Sequence, residues 1–238
     1  MASQGYHLAV NKMIANDIDE NLFNDERFIT GTLLPASLKG ILPSRRSSHF
    51  CGGGYLAYPT FEELKNLNLE RLEYGDKETE KSYITDPEVD LDSFMEHNTH
   101  LCNYDPYKLG ILFHLYGDYM YESKIVNNTF DLSSQDQGII RLNGQNMDND
   151  TFRKYLYGLY PMLDNFFLQK ENITKEDVDY ISNLVANVYG ENLLNYISKF
   201  INYSDVEFKE NEVFKLQQLN DLSDSIKSDS KTLIKKLY

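Results

Sequence analysis

The stretch DPYKLGILFHLYGDYMYESKIV, residues 105–126, carries His114 and Asp118 four positions apart. On an α-helix, side chains at i and i+4 leave one face within about 6 Å of each other. An imidazole and a carboxylate so placed suit two ligands of one metal ion, or equally a hydrogen-bonded pair in a satisfied core. Two more histidines bear on that choice. His7 lies on the stripe His7, Val10, Ile14, Ile18, whose spacing marks the inward face of an amphipathic helix. His49 falls in SRRSSHF, within a segment too long to be a plain connection. Taken singly, His7 reads as a core histidine and His49 as an exposed loop residue. Together with the pair they give three imidazoles and one carboxylate, a set that zinc takes readily, and a second zinc would need only a few more oxygens. Arg45 and Arg46, beside His49, offer planar forks for a phosphate oxygen, or else are exposed loop charges. His97 and His100 lie in an acidic stretch and are expected outside any shared site.

Such residues need a scaffold, and the hydrophobic pattern supplies helices. The stripe from His7 predicts the first. NDERFITGTLLP predicts a short second one, capped by Asn24 or Asp25 and closed by Pro35. Residues 36–58 hold four glycines and four serines and read as a long loop. Pro59 opens a helix to about Leu72, since proline suits a first turn. Residues 73–104 are acidic and polar, an excursion with only short elements. Asp105 and Pro106 start the central helix, which should reach about Val126. Residues 127–147 have room for a small hairpin at Asn143–Gly144. Three helices follow near 149–169, 174–202 with a break at Gly190, and 211–237. The last carries Val213, Leu216, Leu219, Leu222, Ile226, Leu233 and Leu237, which suits a bundle helix better than a partner-binding arm. No segment shows convincing strand alternation. The expected fold is all-α, a single-domain helical bundle over 1–238 with long loops. Its metal-site half covers about 1–126, and additional helices fill 148–238.

At 238 residues the chain can bury a substantial core. Its 37 acidic against 23 basic residues give a net charge of −14. That field repels phosphate backbones and anionic lipid, so neither nucleic acid nor stable membrane association is expected. A small phosphate-containing substrate can still bind where a metal overrides the field. No run approaches the roughly 20 apolar residues that span a bilayer. The opening MASQGYHLAVNKMIANDIDE lacks the basic start and apolar stretch of a signal peptide. Cys51 and Cys102 therefore read as reduced thiols of a cytoplasmic protein.

In their order, GYHLAVNKMI, DERFITGTLLPASLKG, SSHF and LGILFHLYGDYMY resemble the bacterial zinc-dependent phospholipase C-like family, above all its small cytoplasmic branch. The resemblance covers roughly residues 5–125. It implies an all-helical bundle with metal at its centre and hydrolysis of phosphodiesters by two or three zinc ions. Carried over by position, His7, His49, His114 and Asp118 match metal ligands. The chain departs from the family at Leu33-Leu34-Pro35-Ala36, where alanine stands in place of an expected ligating aspartate. Ala36 reads either as a natural loss or as an introduced change. The tryptophan ligand of the secreted enzymes is missing, and their later His and Glu ligands have no clear match. Glu122, one turn beyond Asp118, is the nearby carboxylate nominated as a further ligand.

The expected function is that of a zinc-dependent phosphodiester or phosphomonoester hydrolase-like protein, impaired to the extent that Ala36 removes a ligand. The alternative is a non-catalytic helical interaction protein that kept the fold and lost the chemistry. Binding of lipid headgroups without hydrolysis is disfavoured by the acidity and by the lack of a basic amphipathic helix.

Overall fold

Helix α1 (Gln4–Ala15) is wrapped by the rest of the chain, with Tyr6, Leu8, Ala9, Val10, Ile14 and Ala15 all fully buried. The stripe from His7 therefore understates it: a helix apolar on nearly every side belongs inside a core. The computed structural model describes residues 3–37, 58–66, 89, 91–97, 105–134, 137–189 and 207–237. Over these residues the protein is mostly helical, with one small antiparallel sheet.

Helix α2 (Glu26–Ser37) starts at Asp25, whose carboxylate accepts the Arg27 N–H at 2.7 Å and the Phe28 N–H at 3.3 Å. Pro35 does not close this helix; it sits inside it, near the end. Proline there deprives the Gly31 carbonyl of its helical donor, and buried Leu33 and Leu34 hold the turn in place regardless. Helix α3 (Phe61–Asn66) is opened by Thr60 rather than Pro59. The Thr60 hydroxyl accepts the Glu63 N–H, and the Glu63 carboxylate accepts the Thr60 N–H, a reciprocal cap. Helix α4 (Leu91–His97) is a short element within the acidic excursion. The remainder of that excursion, residues 67–72 and most of the loop 36–58 lie outside the described residues.

Helix α5 (Pro106–Tyr121) forms the axis of the molecule. The Asp105 side chain accepts the Tyr107 N–H, and Pro106 fills the first turn. A π-helical stretch follows at Glu122–Val126, then a last helical turn at Asn127–Thr129. Strands β1 (Ile139–Leu142) and β2 (Gln145–Asp148) form the hairpin, with Asn143 and Gly144 at φ 51° and 80°. Those are the left-handed conformations that a two-residue turn of this kind demands. Helix α6 (Asn149–Lys170) is capped by Asp148, and α7 (Lys175–Tyr189) by Thr174 with Asp177. Helix α8 (Leu216–Leu237) begins later than its stripe suggests, because the Asn211 side chain accepts the Val213 and Phe214 N–H groups in a turn. Leu216 is 46% exposed and leaves the stripe, while Leu219, Leu222, Ile226 and Leu233 are buried. The break expected at Gly190 falls outside the described residues.

Helix α2 packs along α5 most extensively, α1 lies across α5 and α6, and α8 closes over α1 and α5. The closest approach is at Gly31 and Gly110. A Cβ on Gly31 would overlap the Tyr107 carbonyl oxygen, and one on Gly110 would overlap that of Phe28. The two backbones therefore touch directly, which fixes where each lies along the other. Among the described residues no helix is long and apolar enough to cross a membrane.

Candidate metal centre

His7 comes from the first half of α1, and His114 and Asp118 from α5. They are buried to 1%, 0% and 0% exposure, and their potential ligand atoms all lie within 4.8 Å of one another. The His7 Nε2 is 3.4 Å from Asp118 Oδ1, and the His114 Nε2 is 3.8 Å from Asp118 Oδ2. The two imidazoles are stacked, with centroids 3.6 Å apart and planes 13° from parallel.

Neighbouring groups fix each ring. The His114 Nδ1 lies 2.7 Å from the Thr32 carbonyl oxygen. A carbonyl only accepts, so Nδ1 carries a proton, and Nε2 is the nitrogen turned towards Asp118. The His7 ring rests over Gly117, where a Cβ would come within 3.1 Å of its Nδ1. Tyr6 packs edge-on against His7 at 5.4 Å and donates its hydroxyl to the Gly117 carbonyl at 3.1 Å. Burial, together with the charge of Asp118, pushes the Tyr6 phenol well above its ordinary range, so it stays a donor.

Separations of 3.4 and 3.8 Å exceed those of nitrogen–oxygen hydrogen bonds, about 2.7–3.2 Å. They lie near the spacing of two donors about 2.0–2.1 Å from a shared tetrahedral ion, roughly 3.3 Å. The donor set of two neutral imidazoles and a carboxylate suits zinc and other first-row ions. Ring orientation sharpens the fit. An imidazole lone pair lies in its ring plane, so two nearly parallel stacked rings do not aim at one point. Each ring instead faces its own oxygen of Asp118. Asp118 thus offers one oxygen to each imidazole, and the three side chains together could hold a metal ion.

The other expected residues are distributed differently. His49, Arg45, Arg46 and His100 lie outside the described residues, as do Cys51 and Cys102. His97 ends α4, and its side chain lies outside what the structure describes. Ala36 lies in the last turn of α2, half-buried. Glu122 is half-buried at the start of the π-helical stretch and is likewise not part of the close group. Two turns and more beyond His114, it sits about 12 Å further along the axis, whereas the group closes sideways onto α1.

Several contributing residues escaped the sequence reading. Asn11 follows His7 by one turn, and its buried amide donates to the Thr32 hydroxyl at 2.6 Å and to the Gly110 carbonyl at 3.1 Å. Its place at i+4 from His7 was the available signal. Gly117 was visible as a helix-interior glycine between His114 and Asp118, a residue that costs about 1 kcal/mol against alanine and so asks for a reason. Asp164 gave no local signal. It is fully buried on α6 and caps α1, accepting from the Ser3 hydroxyl and from the Tyr6 N–H at 2.7 Å. Burial pushes its carboxyl up to about 8, while the donors from Ser3, Tyr6 and Gly5 pull the other way.

Fold and site together define a helical protein with a buried His–His–Asp group that could hold a metal ion. No model of a known protein family, no curated protein and no solved structure matches the chain.

Proposed function

We propose that this chain is a zinc-dependent phosphodiester or phosphomonoester hydrolase-like protein of the phospholipase C type. The observation that carries the proposal is the convergence of His7 with His114 and Asp118, all buried, at spacings longer than hydrogen bonds. Zinc, when bound, supplies Lewis-acid charge and lowers the pKa of water toward 7. In this reading His7 and His114 are the nitrogen ligands and Asp118 joins them through its two oxygens. His49 is a third imidazole brought by the loop, and Arg45 and Arg46 hold the phosphate oxygens of a small substrate. Ala36 leaves the family's usual oxygen ligand unsupplied, which lowers activity without removing the His–His–Asp group. The acidic surface, at −14, keeps polyanions away, so the proposal includes neither nucleic acid nor membrane partners. With both cysteines read as reduced thiols, the compartment proposed is the cytoplasm.

The test is metal analysis of protein purified without chelator, with hydrolysis of bis(4-nitrophenyl) phosphate and 4-nitrophenyl phosphate measured with added zinc. Zinc near one or two equivalents and turnover raised by Ala36→Asp are expected. Less than about a tenth of an equivalent of zinc, manganese or iron would sink the proposal.

One observation favours the second reading, a non-catalytic helical protein in which the group is purely structural. All three donors are buried to 0–1% exposure, whereas a catalytic zinc keeps one coordination position open to solvent or substrate. That reading expects bound zinc, or none, with no turnover even in Ala36→Asp.

A further inference from the structure

We infer that Thr32 and Asn11 are positioning residues for His114, forming a buried polar column that holds the imidazole as its Nδ1–H tautomer. This role rests on the metal-binding reading above and adds to it the means by which α1, α2 and α5 set one ligand atom. Each link is short. Asn11 Nδ2 donates to Thr32 Oγ1 at 2.6 Å, and Thr32 Oγ1 donates to the Phe28 carbonyl at 2.9 Å. The Thr32 carbonyl accepts from His114 Nδ1 at 2.7 Å. Asn11, Thr32 and His114 are all at 0% exposure.

The column matters because a neutral imidazole has two tautomers, and only one leaves Nε2 with a lone pair facing Asp118. The second hydrogen bond of the Asn11 amide, to the Gly110 carbonyl, ties the column to α5 one turn before His114. The column is thus anchored on the same helix as the ligand it serves. Pro35, just beyond Thr32, removes one helical N–H from this part of α2, so the column supplies order where the helix has lost a bond. Groups that orient a metal-binding histidine in this way typically change metal affinity about 10- to 100-fold when removed.

The test reads the tautomer directly, by 15N NMR of the His114 ring in the zinc-free protein, and pairs it with zinc titration of Thr32→Val and Thr32→Ser. The unsubstituted chain should show His114 with its proton on Nδ1. Thr32→Val, which keeps the shape and the carbonyl but loses the hydroxyl that anchors it, should weaken zinc binding about 10- to 100-fold. Thr32→Ser should restore most of the affinity. Finding the proton on Nε2 in the unsubstituted chain overturns the inference, whether or not Thr32→Val folds. So does a folded Thr32→Val that binds zinc as tightly as its parent. A parent chain that binds no zinc removes the metal reading, and the His114 tautomer in that chain still decides the positioning role.

Discussion

Asp118 and Asp164 are both fully buried, and both lie against α1, yet their surroundings differ in kind. Asp164 meets the start of the helix, where the Ser3 hydroxyl and the Tyr6 N–H donate to it and the helix dipole favours negative charge. Asp118 meets the helix one turn further on and faces two imidazole nitrogens at distances too long for good hydrogen bonds. One carboxyl is held by backbone and hydroxyl donors that no ion would displace. The other faces two nitrogen atoms that could, with it, hold a metal ion. Burial of an acid is therefore no sign of metal chemistry by itself; the identity and spacing of the groups around it make the distinction.

The largest expected effect separates the two directly. Asp118→Asn should reduce retained zinc below about a tenth of an equivalent, while Asp164→Asn should keep the parent's stoichiometry. Equal loss in both variants, measured by elemental analysis, would erase the distinction. Next in size is the response to chelation. Removing zinc should lower the parent's melting temperature by on the order of 10 °C, and Asp118→Asn should barely respond.

A smaller effect belongs to Asp164. Its carboxyl is raised to about 8 in the fold, against about 3.9 unfolded. Between those values the folded chain binds the extra proton. The stabilisation is thus fully present below about pH 4 and is lost as pH rises through about 8, at roughly 1 kcal/mol per pH unit. Urea unfolding across that range should show the decline, and Asp164→Asn, which keeps an acceptor for Tyr6, should flatten it. The smallest effect is at Gly117. Alanine there gains helix propensity but crowds the His7 Nδ1, so Gly117→Ala should change stability by less than about 1 kcal/mol while weakening zinc binding about tenfold.

The parts of this arrangement that were legible in the sequence are those written in local spacing. His114 and Asp118 share a helix face, Asp105–Pro106 announces its start, and Asn143–Gly144 announces the hairpin. Pro35 misled because a proline ends a helix only when nothing else holds the turn, and here buried Leu33 and Leu34 do. The Thr60–Glu63 cap was present in the letters, but Pro59 drew the boundary instead. Asp164 capping α1, and the Thr32 carbonyl meeting His114, join residues far apart in the chain, and no local pattern encodes such pairings.

The depth of the His–His–Asp group has a kinetic consequence. With all three side chains at 0–1% exposure, an ion held there could not be approached by a chelator while the helices stay together. Departure would wait for a local opening of α1 from α5, and such openings follow the protein's own breathing. The rate of zinc release into excess chelator should then level off as chelator concentration rises, its plateau set by how often the core parts.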